Sequence, residues 1–361
     1  MYMVGDWHRL NIIQEEIVNN VSRKVLAGVA MVAASVLVLS GCASKPGAGF
    51  IACGVSDEGS WTDKSFNESV MDGLVKAKDE LGVDVKDAES NSAEDFAPNL
   101  QSMIDAGCDV TFAVGFNLVD AVNTAAEANP EVNFVTIDGW SNGATNLKPV
   151  NYKMEESSYL AGYAAAYYST SKVVGVYGGM QISAVTAFMD GFYYGAKAYE
   201  AETGTPVTVV GWNAVTQQGD FIGDFAPNNP AGKTIAAGQI AQGADVLLPV
   251  GGDQYGALSE AISEANVDAK MIGVDKNWTV ANPEYADMIL TSIEKRMTTA
   301  VFDIVNALAV EKAAFSGEAY IGTLANNGTD VSETDFFDDA LKSKLAELKA
   351  GIIDGSINPL G

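Results

Sequence analysis

The chain has 361 residues, enough for two domains, and 48% of them are hydrophobic, which supplies a sizeable core. Asp and Glu number 47 against 21 Lys and Arg, so the net charge is −26. This charge argues against binding nucleic acid or an anionic membrane surface, because both depend on cationic side chains. The single histidine, His8, lies in a segment that we expect to be removed, which excludes Ser-His-Asp triads, Cys-His pairs and His-ligated zinc from the mature chain. We expect no metal and no cofactor.

The N-terminal segment 1–41 has the pattern of a processing signal. Two basic residues precede an apolar run over 25–39, and the sequence then reads Leu39-Ser40-Gly41-Cys42. This ending resembles a bacterial lipobox, in which the cysteine receives the lipid and becomes the mature N-terminus. We therefore predict lipidation of Cys42, a short tether over 42–49, and a location on the extracytoplasmic face of the cell membrane. A plain transmembrane anchor is the alternative, but the apolar run is shorter than the roughly 20 residues that a spanning helix needs.

After the tether, short apolar strands alternate with helices. The segment 67–81 shows the helical pattern, because its apolar residues Val70, Leu74 and Leu81 share one face and Gly82 ends it. The remaining elements of this half are predicted as strands over 50–55, 83–85, 110–114 and 134–137 and helices over 95–106 and 119–128. This alternation predicts a parallel sheet with helices on both faces.

A helix over 155–168, rich in Ala and Tyr, separates this half from a second half with the same architecture. The second half is predicted to contain strands over 173–177, 207–212, 246–250 and 271–274 and helices over 186–202, 232–242 and 255–264. Beyond it, the pattern predicts a strand over 289–292 and helices over 298–314 and 334–354.

Two similar α/β halves with late crossings between them predict a clamshell of two doubly wound parallel-sheet lobes, of the type I periplasmic-binding-protein kind. The first lobe is expected over 50–155, completed by part of 280–330. The second lobe is expected over 156–279, completed by part of 300–361. We expect a monomer, since a clamshell has to open and close.

The two cysteines left after Cys42 are Cys53, on the first predicted strand, and Cys108, just before the third. In a doubly wound sheet of order 2-1-3 these strands are neighbours. A disulfide and two buried thiols both fit this placement, because the sequence does not give the separation of the Cα atoms that a bridge requires.

Ligands of open parallel sheets bind outside the carboxyl ends of the strands, so the residues that follow each strand are the candidates for a site. Carboxylates, glycines and aromatic residues occupy these positions in both halves: Asp57, Phe116, Asp138, Gly251, Asp275 and Trp278. Aromatic side chains stack on flat rings, carboxylates accept hydrogen bonds from hydroxyl and amine groups, and glycines let the backbone approach a ligand.

These residues also have structural explanations. Gly178-Gly179 and Gly251-Gly252 fit tight turns between strand and helix, and Asp138 and Asp275 fit caps of the segments that follow them. The sequence has neither the G-x-G-x-x-G spacing of a dinucleotide site nor a Walker motif. The pattern therefore favours a small-molecule cleft over a dinucleotide site.

The segment Asp63-Lys64-Ser65-Phe66-Asn67-Glu68-Ser69, followed by Gly73, resembles the D-K-S-F-N-Q-S…G signature of the basic membrane protein family. These proteins are the PnrA-like nucleoside-binding lipoproteins of ABC transporters. Further matches to the family follow in order along residues 50–310: Gly115-Phe116, Phe134 to Asp138, Tyr159 to Ala165, Phe188 to Phe192, Gly243 to Val246, Ile272 to Asp275, and Thr291 to Lys295.

In that family two aromatic rings sandwich a purine, while carboxylates and a lysine hold the ring edge and the ribose. The resemblance implies ligand contacts in both lobes, from Asp57, Phe66, Asn67, Asp138, Phe225, Gly251, Asp275 and Lys295. Phe221 is a second candidate for the aromatic residue of the second lobe, and Phe225 is preferred because its distance to Gly232 fits the family better.

The chain departs from the family pattern at one loop. Where the family commonly reads D-x-D-Q, this sequence reads Asp275-Lys276-Asn277-Trp278, so an amide replaces a carboxylate and a large aromatic residue follows. We expect this loop, with Trp278, to face the ligand, which leaves the identity of the ligand open.

The resemblance implies a lipid-anchored binding protein that captures purine or other nucleosides for the permease and ATPase subunits of an ABC importer. Two alternatives keep the fold: a binding protein for a sugar or another small polar solute, and a receptor that senses its ligand. We do not expect an enzyme, since Asp57, Asp138 and Asp275 are equally explained as ligand acceptors.

Overall fold

The computed structural model describes residues 45–361, so the predicted signal segment 1–41 and the predicted lipidation site Cys42 lie outside the described residues. Across residues 45–361, no helix has both the length and the apolar character needed to cross a membrane.

Strands and helices alternate along the described chain. The strands are β1 (Ile51–Val55), β2 (Asp84–Ala88), β3 (Val110–Val114), β4 (Asn133–Ile137), β5 (Leu147–Tyr152), β6 (Val173–Gly178), β7 (Thr208–Val210), β8 (Trp212–Asn213), β9 (Gln218–Gly219), β10 (Val246–Val250), β11 (Lys270–Asp275), β12 (Ile289–Lys295), β13 (Tyr320–Gly322) and β14 (Thr329–Val331). The α-helices are α1 (Phe66–Leu81), α2 (Phe96–Asp105), α3 (Val119–Ala128), α4 (Met154–Tyr168), α5 (Ser183–Thr203), α6 (Pro230–Ala241), α7 (Tyr255–Ala265), α8 (Trp278–Ala281), α9 (Met297–Ala309) and α10 (Asp339–Asp354).

These strands form two six-stranded sheets, and each sheet with the helices packed on it is called a lobe below. The first sheet has the order β13-β5-β4-β3-β1-β2 and is parallel throughout. The second has the order β14-β12-β11-β10-β6-β7, in which β14 alone runs antiparallel to its neighbour. Every residue of β3 and of β10 is buried, as expected for central strands covered on both faces.

Helices cover both faces of each sheet and bury separate apolar cores. In the first lobe, α1 and α9 pack on one face and α2 and α3 on the other. In the second lobe, α4, α5 and α10 cover one face, and α6, α7 and α8 the other. The predicted fold class, a clamshell of two doubly wound α/β lobes, is therefore confirmed. The residue boundaries given above for the lobes stay a prediction.

The chain passes between the two sheets three times. It leaves the first sheet after β5, returns from β12 through α9 to β13, and leaves again for β14. Three connections between the lobes are the arrangement expected of a hinge.

Cys53 and Cys108 form a disulfide with a Cα–Cα separation of 6.0 Å, which is within the usual range. The bridge joins β1 to the turn that precedes β3, and these two strands pair directly. The sequence predicted this neighbour relation but left the state of the two sulfur atoms open.

Candidate ligand-binding site

A cleft lies where the carboxyl ends of the two sheets face each other. The first lobe contributes residues that follow β1, β3 and β4, and the second contributes residues at the ends of β10, β11 and β12. The residues that the position rule for parallel sheets selects therefore line one cleft from both lobes.

Asp57, directly beyond β1, forms the polar wall of the first lobe together with Asn67 of α1. The Oδ1 atom of Asp57 accepts hydrogen bonds from Asn67 Nδ2 at 2.8 Å and from the Gly59 amide at 2.9 Å. Burial raises the pKa of Asp57 to about 6, although both hydrogen bonds act to lower it. The buried Oδ1 of Asn67 has no hydrogen-bond partner within residues 45–361, so it is available to a ligand donor.

Asp63 fixes the start of α1 and thereby the direction of Phe66 and Asn67. Its carboxylate accepts hydrogen bonds from the backbone amides of Ser65, Asn67 and Glu68 at 2.9, 2.8 and 3.0 Å. The amides of Asn67 and Glu68 belong to the first turn of the helix, where backbone donors lack intrahelical partners, and Ser65 is the residue before it. Asp63, at the start of the D-K-S-F-N segment, therefore acts as a helix cap, and the helix start that it fixes presents Phe66 and Asn67 to the cleft.

Lys295 and Asp138 form an ion pair across the cleft, from the end of β12 in one lobe to the end of β4 in the other. The Lys295 side chain is 3% exposed and its Nζ lies 5.1 Å from the ring centre of Phe66 and 5.7 Å from that of Phe188. A charge this deeply buried requires a partner. Asp138 has a φ of 57°, a strained conformation for a residue other than glycine, of the kind that concentrates at functional sites.

Asp275, the last residue of β11, is a carboxylate that the second lobe contributes to the cleft. Its Oδ2 accepts a hydrogen bond from Ser65 Oγ of the first lobe at 2.8 Å. Burial raises the pKa of Asp275 to about 6, against the opposing effects of Lys295 and Ser65. Its φ of 67° is again in the left-handed region. The ends of β4 and β11 thus each place an aspartate in the left-handed backbone region, and Lys295 pairs with the first and acts electrostatically on the second.

Aromatic side chains line both walls. Phe66 comes from the first lobe, and Phe188 and Phe225 come from the second. Phe221, the other candidate for the second aromatic wall, packs against Trp212 with ring centres 5.8 Å apart and is not part of the cleft lining. This geometry favours Phe225 over Phe221.

Apart from Trp278, the structure brings together in this cleft all of the ligand contacts predicted from the sequence: Asp57, Phe66, Asn67, Phe116, Asp138, Phe225, Gly251, Asp275 and Lys295. Phe116 lies at the rim, 36% exposed, with its ring centre 5.7 Å from that of Trp140. That these residues contact a ligand stays a prediction.

The expectation that the loop after Asp275 faces the ligand is wrong for Trp278. This side chain is fully buried, its indole nitrogen donates to the carbonyl oxygen of Val274 at 2.8 Å, and its ring packs on Tyr255 at a centroid distance of 3.5 Å. The preceding Asn277 caps α8 by accepting from the Thr279 amide and hydroxyl. At this departure from the family pattern, Trp278 therefore packs in the core and Asn277 caps a helix.

Sequence reasoning missed several residues of the lining, among them Asp63, Phe188 and Asp253. Asp253 follows Gly251-Gly252 after the end of β10. The strand-end rule would have included it if it had been extended to the third residue after the strand. Burial raises the pKa of Asp253, against the effect of Lys64. With Asp57, Asp138 and Asp275, the described lining contains five aspartates and a single lysine, a strongly acidic surface for any ligand.

The fold and the interlobe cleft define a solute-binding protein of the periplasmic-binding-protein type. An ABC transporter solute-binding protein from Aeropyrum pernix K1 shares the fold with a TM-score of 0.75 and 25% identity, over 86% of this chain and 92% of that one. The family model described as ABC transporter substrate-binding protein PnrA-like matches residues 50–358. The chain belongs to this family, whose members are substrate-binding proteins and not enzymes.

Curated relatives match most of the chain. The ABC transporter nucleoside-binding protein BmpA of Lactococcus lactis subsp. cremoris is 31% identical over 93% of this chain and 98% of that protein. Basic membrane protein A of Borreliella burgdorferi is 29% identical over 75% of this chain and 74% of that protein. The predicted resemblance to the basic membrane protein family is thereby confirmed.

Proposed function

We propose that this chain captures nucleosides in the interlobe cleft and delivers them to the permease and ATPase of an ABC importer. The observation that carries the proposal is the composition of the cleft, which combines aromatic rings of both lobes, Phe66 and Phe225, with a buried lysine and several aspartates. The 31% identical relative described as a nucleoside-binding protein supports the same ligand class.

Each part of a nucleoside has a matching group in the cleft. Phe66 and Phe225 supply stacking surfaces for the base, worth about 1–3 kcal/mol each. We assign the base edge to Asp57 and to the unpartnered oxygen of Asn67, and the ribose hydroxyls to the group around Lys295. Hydrogen bonds add about 1 kcal/mol each, and these contacts together have to exceed the cost of association to reach the roughly −8 kcal/mol of a micromolar complex.

Calorimetric titration tests this proposal. The purified protein, stripped of carried-over ligand, is titrated with guanosine, inosine, adenosine, uridine and ribose in turn. Micromolar or tighter binding of a nucleoside, with no heat from ribose, is the expected result. Heat from ribose or another sugar alone would replace the nucleoside with a sugar as the ligand, since the group around Lys295 also fits free hydroxyls.

Two variants at one position isolate the stacking contribution. Phe66→Leu keeps an apolar side chain but removes the ring, and we expect it to weaken nucleoside binding by about 10-fold or more. Phe66→Tyr keeps the ring and serves as the matched control, with little loss expected. Equal affinities of the wild type and the Phe66→Leu variant would remove stacking from the proposal.

We further propose that the protein works outside the cytoplasm as a monomer, anchored by a lipid on Cys42. The support for the anchor is the motif that ends in this cysteine, which lies outside the described residues. Labelling of cells with a radioactive fatty acid should mark the wild-type protein, and Cys42→Ala should abolish both the label and membrane retention. Unchanged retention of the variant would contradict lipid anchoring.

A further inference from the structure

Lys276 joins the two lobes from a position outside the cleft lining. It follows Asp275 at the end of β11, in the second lobe, and its Nζ lies 2.7 Å from Glu68 Oε1 and 2.8 Å from Asp72 Oδ2. Both carboxylates belong to α1, in the first lobe. One cation of one lobe is therefore bonded to two anions of the other, while Asp275 beside it faces the ligand site.

The environment of Lys276 keeps these ion pairs charged and partly shielded. The Lys276 side chain is 15% exposed, against 31% for Glu68 and 50% for Asp72. Burial acts to lower the pKa of Lys276, but the hydrogen bonds to Asp72 and Glu68 outweigh it and the pKa is raised. A shielded pair of this kind is stronger than a fully exposed one and still responds to salt.

Other contacts near Lys276 also join the two lobes and favour the closed arrangement. Ser65 Oγ of the first lobe donates to Asp275, next to Lys276. Lys64 of the first lobe reaches the opposite way and donates to Asn282 Oδ1 at 3.0 Å, with Glu284 at 3.8 Å. Lys64 is half exposed, so Lys276 is the better shielded of the two lysines. All of these contacts join groups of different lobes, so lobe opening separates them.

We propose that Lys276 is an electrostatic latch that sets the fraction of closed protein, and with it the rate of ligand release, without contacting the ligand. An interaction made only in the closed state shifts the opening equilibrium by its full free energy. The apparent affinity for any ligand held in the cleft then rises with the closed fraction. The proposal rests on the proposed function only in that a nucleoside is used as the probe.

The test compares the wild type with Lys276→Met in guanosine dissociation measured by stopped flow at low and high salt. At low salt the variant should release guanosine about three- to tenfold faster. Raising the salt should speed release from the wild type and leave the variant nearly unchanged, since salt screens the ion pairs that the variant lacks. The double variant Glu68→Gln with Asp72→Asn should match Lys276→Met, and combining all three changes should add little.

Lys233→Met is the matched control. Lys233 also bridges two carboxylates, Glu260 at 3.0 Å and Glu264 at 2.8 Å, but it does so between α6 and α7 inside the second lobe. Loss of this pair of ion bridges should leave guanosine release unchanged at both salt concentrations. A change of release in this control equal to that of Lys276→Met would overturn the latch.

A second readout needs no ligand. Spin labels at Val75 and Val267, exposed positions of the first and second lobes, report the interlobe distance in the ligand-free protein. Lys276→Met should move the distance distribution towards longer values, and Lys233→Met should not. If no nucleoside binds but this shift appears, the proposed function fails and the latch stands. If guanosine binds and neither release nor the distance distribution depends on Lys276, the latch is wrong.

Discussion

Replacing Asp57 with asparagine should stabilise the ligand-free protein at neutral pH. Burial raises the pKa of this carboxyl from 3.8 to about 6. Ionised Asp57 is therefore less favourable in the folded protein than in the unfolded chain, which lowers the free energy of unfolding. This loss of stability is absent below about pH 4, grows between about pH 4 and pH 6, and is complete above about pH 6. Asparagine keeps the oxygen that accepts from Asn67 Nδ2 and the Gly59 amide.

The magnitude follows from the shift of the pKa. A difference of about 2 units at about 1.4 kcal/mol each gives a stabilisation of about 3 kcal/mol for Asp57→Asn at about pH 7.5. At about pH 5 the folded carboxyl is mostly protonated already, and the gain should fall to about half of that value. The stability of the wild type should therefore approach that of the variant as the pH falls.

Chemical denaturation followed by tryptophan fluorescence measures both values. Asp84→Asn, which changes an exposed carboxyl on β2, serves as the control and should alter the free energy of unfolding little at either pH. The same gain for Asp57→Asn at both pH values, or a loss at about pH 7.5, would refute the burial argument. Nucleoside binding should weaken in the stabilised variant, because the assigned acceptor of the base edge is lost.

Three further results are expected. Nucleoside 5′-monophosphates should bind about 100-fold more weakly than the parent nucleosides, because five aspartates and one lysine line the described cleft, and equal affinities in calorimetric titration would contradict this charge argument. Trp278→Ala should lower the free energy of unfolding by about 3–5 kcal/mol, measured by chemical denaturation, because the ring is fully buried; a loss near zero would place the side chain outside the core. Replacing Cys53 and Cys108 together by alanine should cost about 4 kcal/mol, since the bridge closes a sequence separation of 55 residues, and an unchanged melting temperature would show that the disulfide does not form in solution.

The order of strands and helices could be predicted wherever the strand was a continuous apolar run, as in β3 and β10. β5 was missed because Lys148 and Asn151 interrupt its apolar residues, and β13 and β14 were missed because each is only three residues long. The strand predicted over 207–212 is interrupted at Gly211, whose φ of 84° ends β7 and starts β8 in a separate hairpin. These elements depend on tertiary pairing that local patterns do not encode.

The candidate site could be predicted to the extent that it depends on strand ends. Asp57, Asp138 and Asp275 follow buried strands, and the geometry of a parallel sheet places them at the cleft. The strand-end rule does not predict the direction of side chains that lie further along the loop after a strand. After Asp275 the chain turns into α8, and Trp278 enters the core because its amide donates to Ser292 Oγ and its ring meets Tyr255. Partners on the other lobe, such as Ser65 for Asp275, are set by closure and leave no local pattern.

The three passages of the chain between the lobes determine when the molecule can be completed during synthesis. The first sheet needs β13, which ends at Gly322, and the second needs β14, which ends at Val331. A chain made from its N-terminus therefore carries unfinished sheet edges until about nine-tenths of its residues have been produced. Until then β5 and β12 are the outer strands of their sheets, and their unpaired edges are surfaces that other chains could pair with.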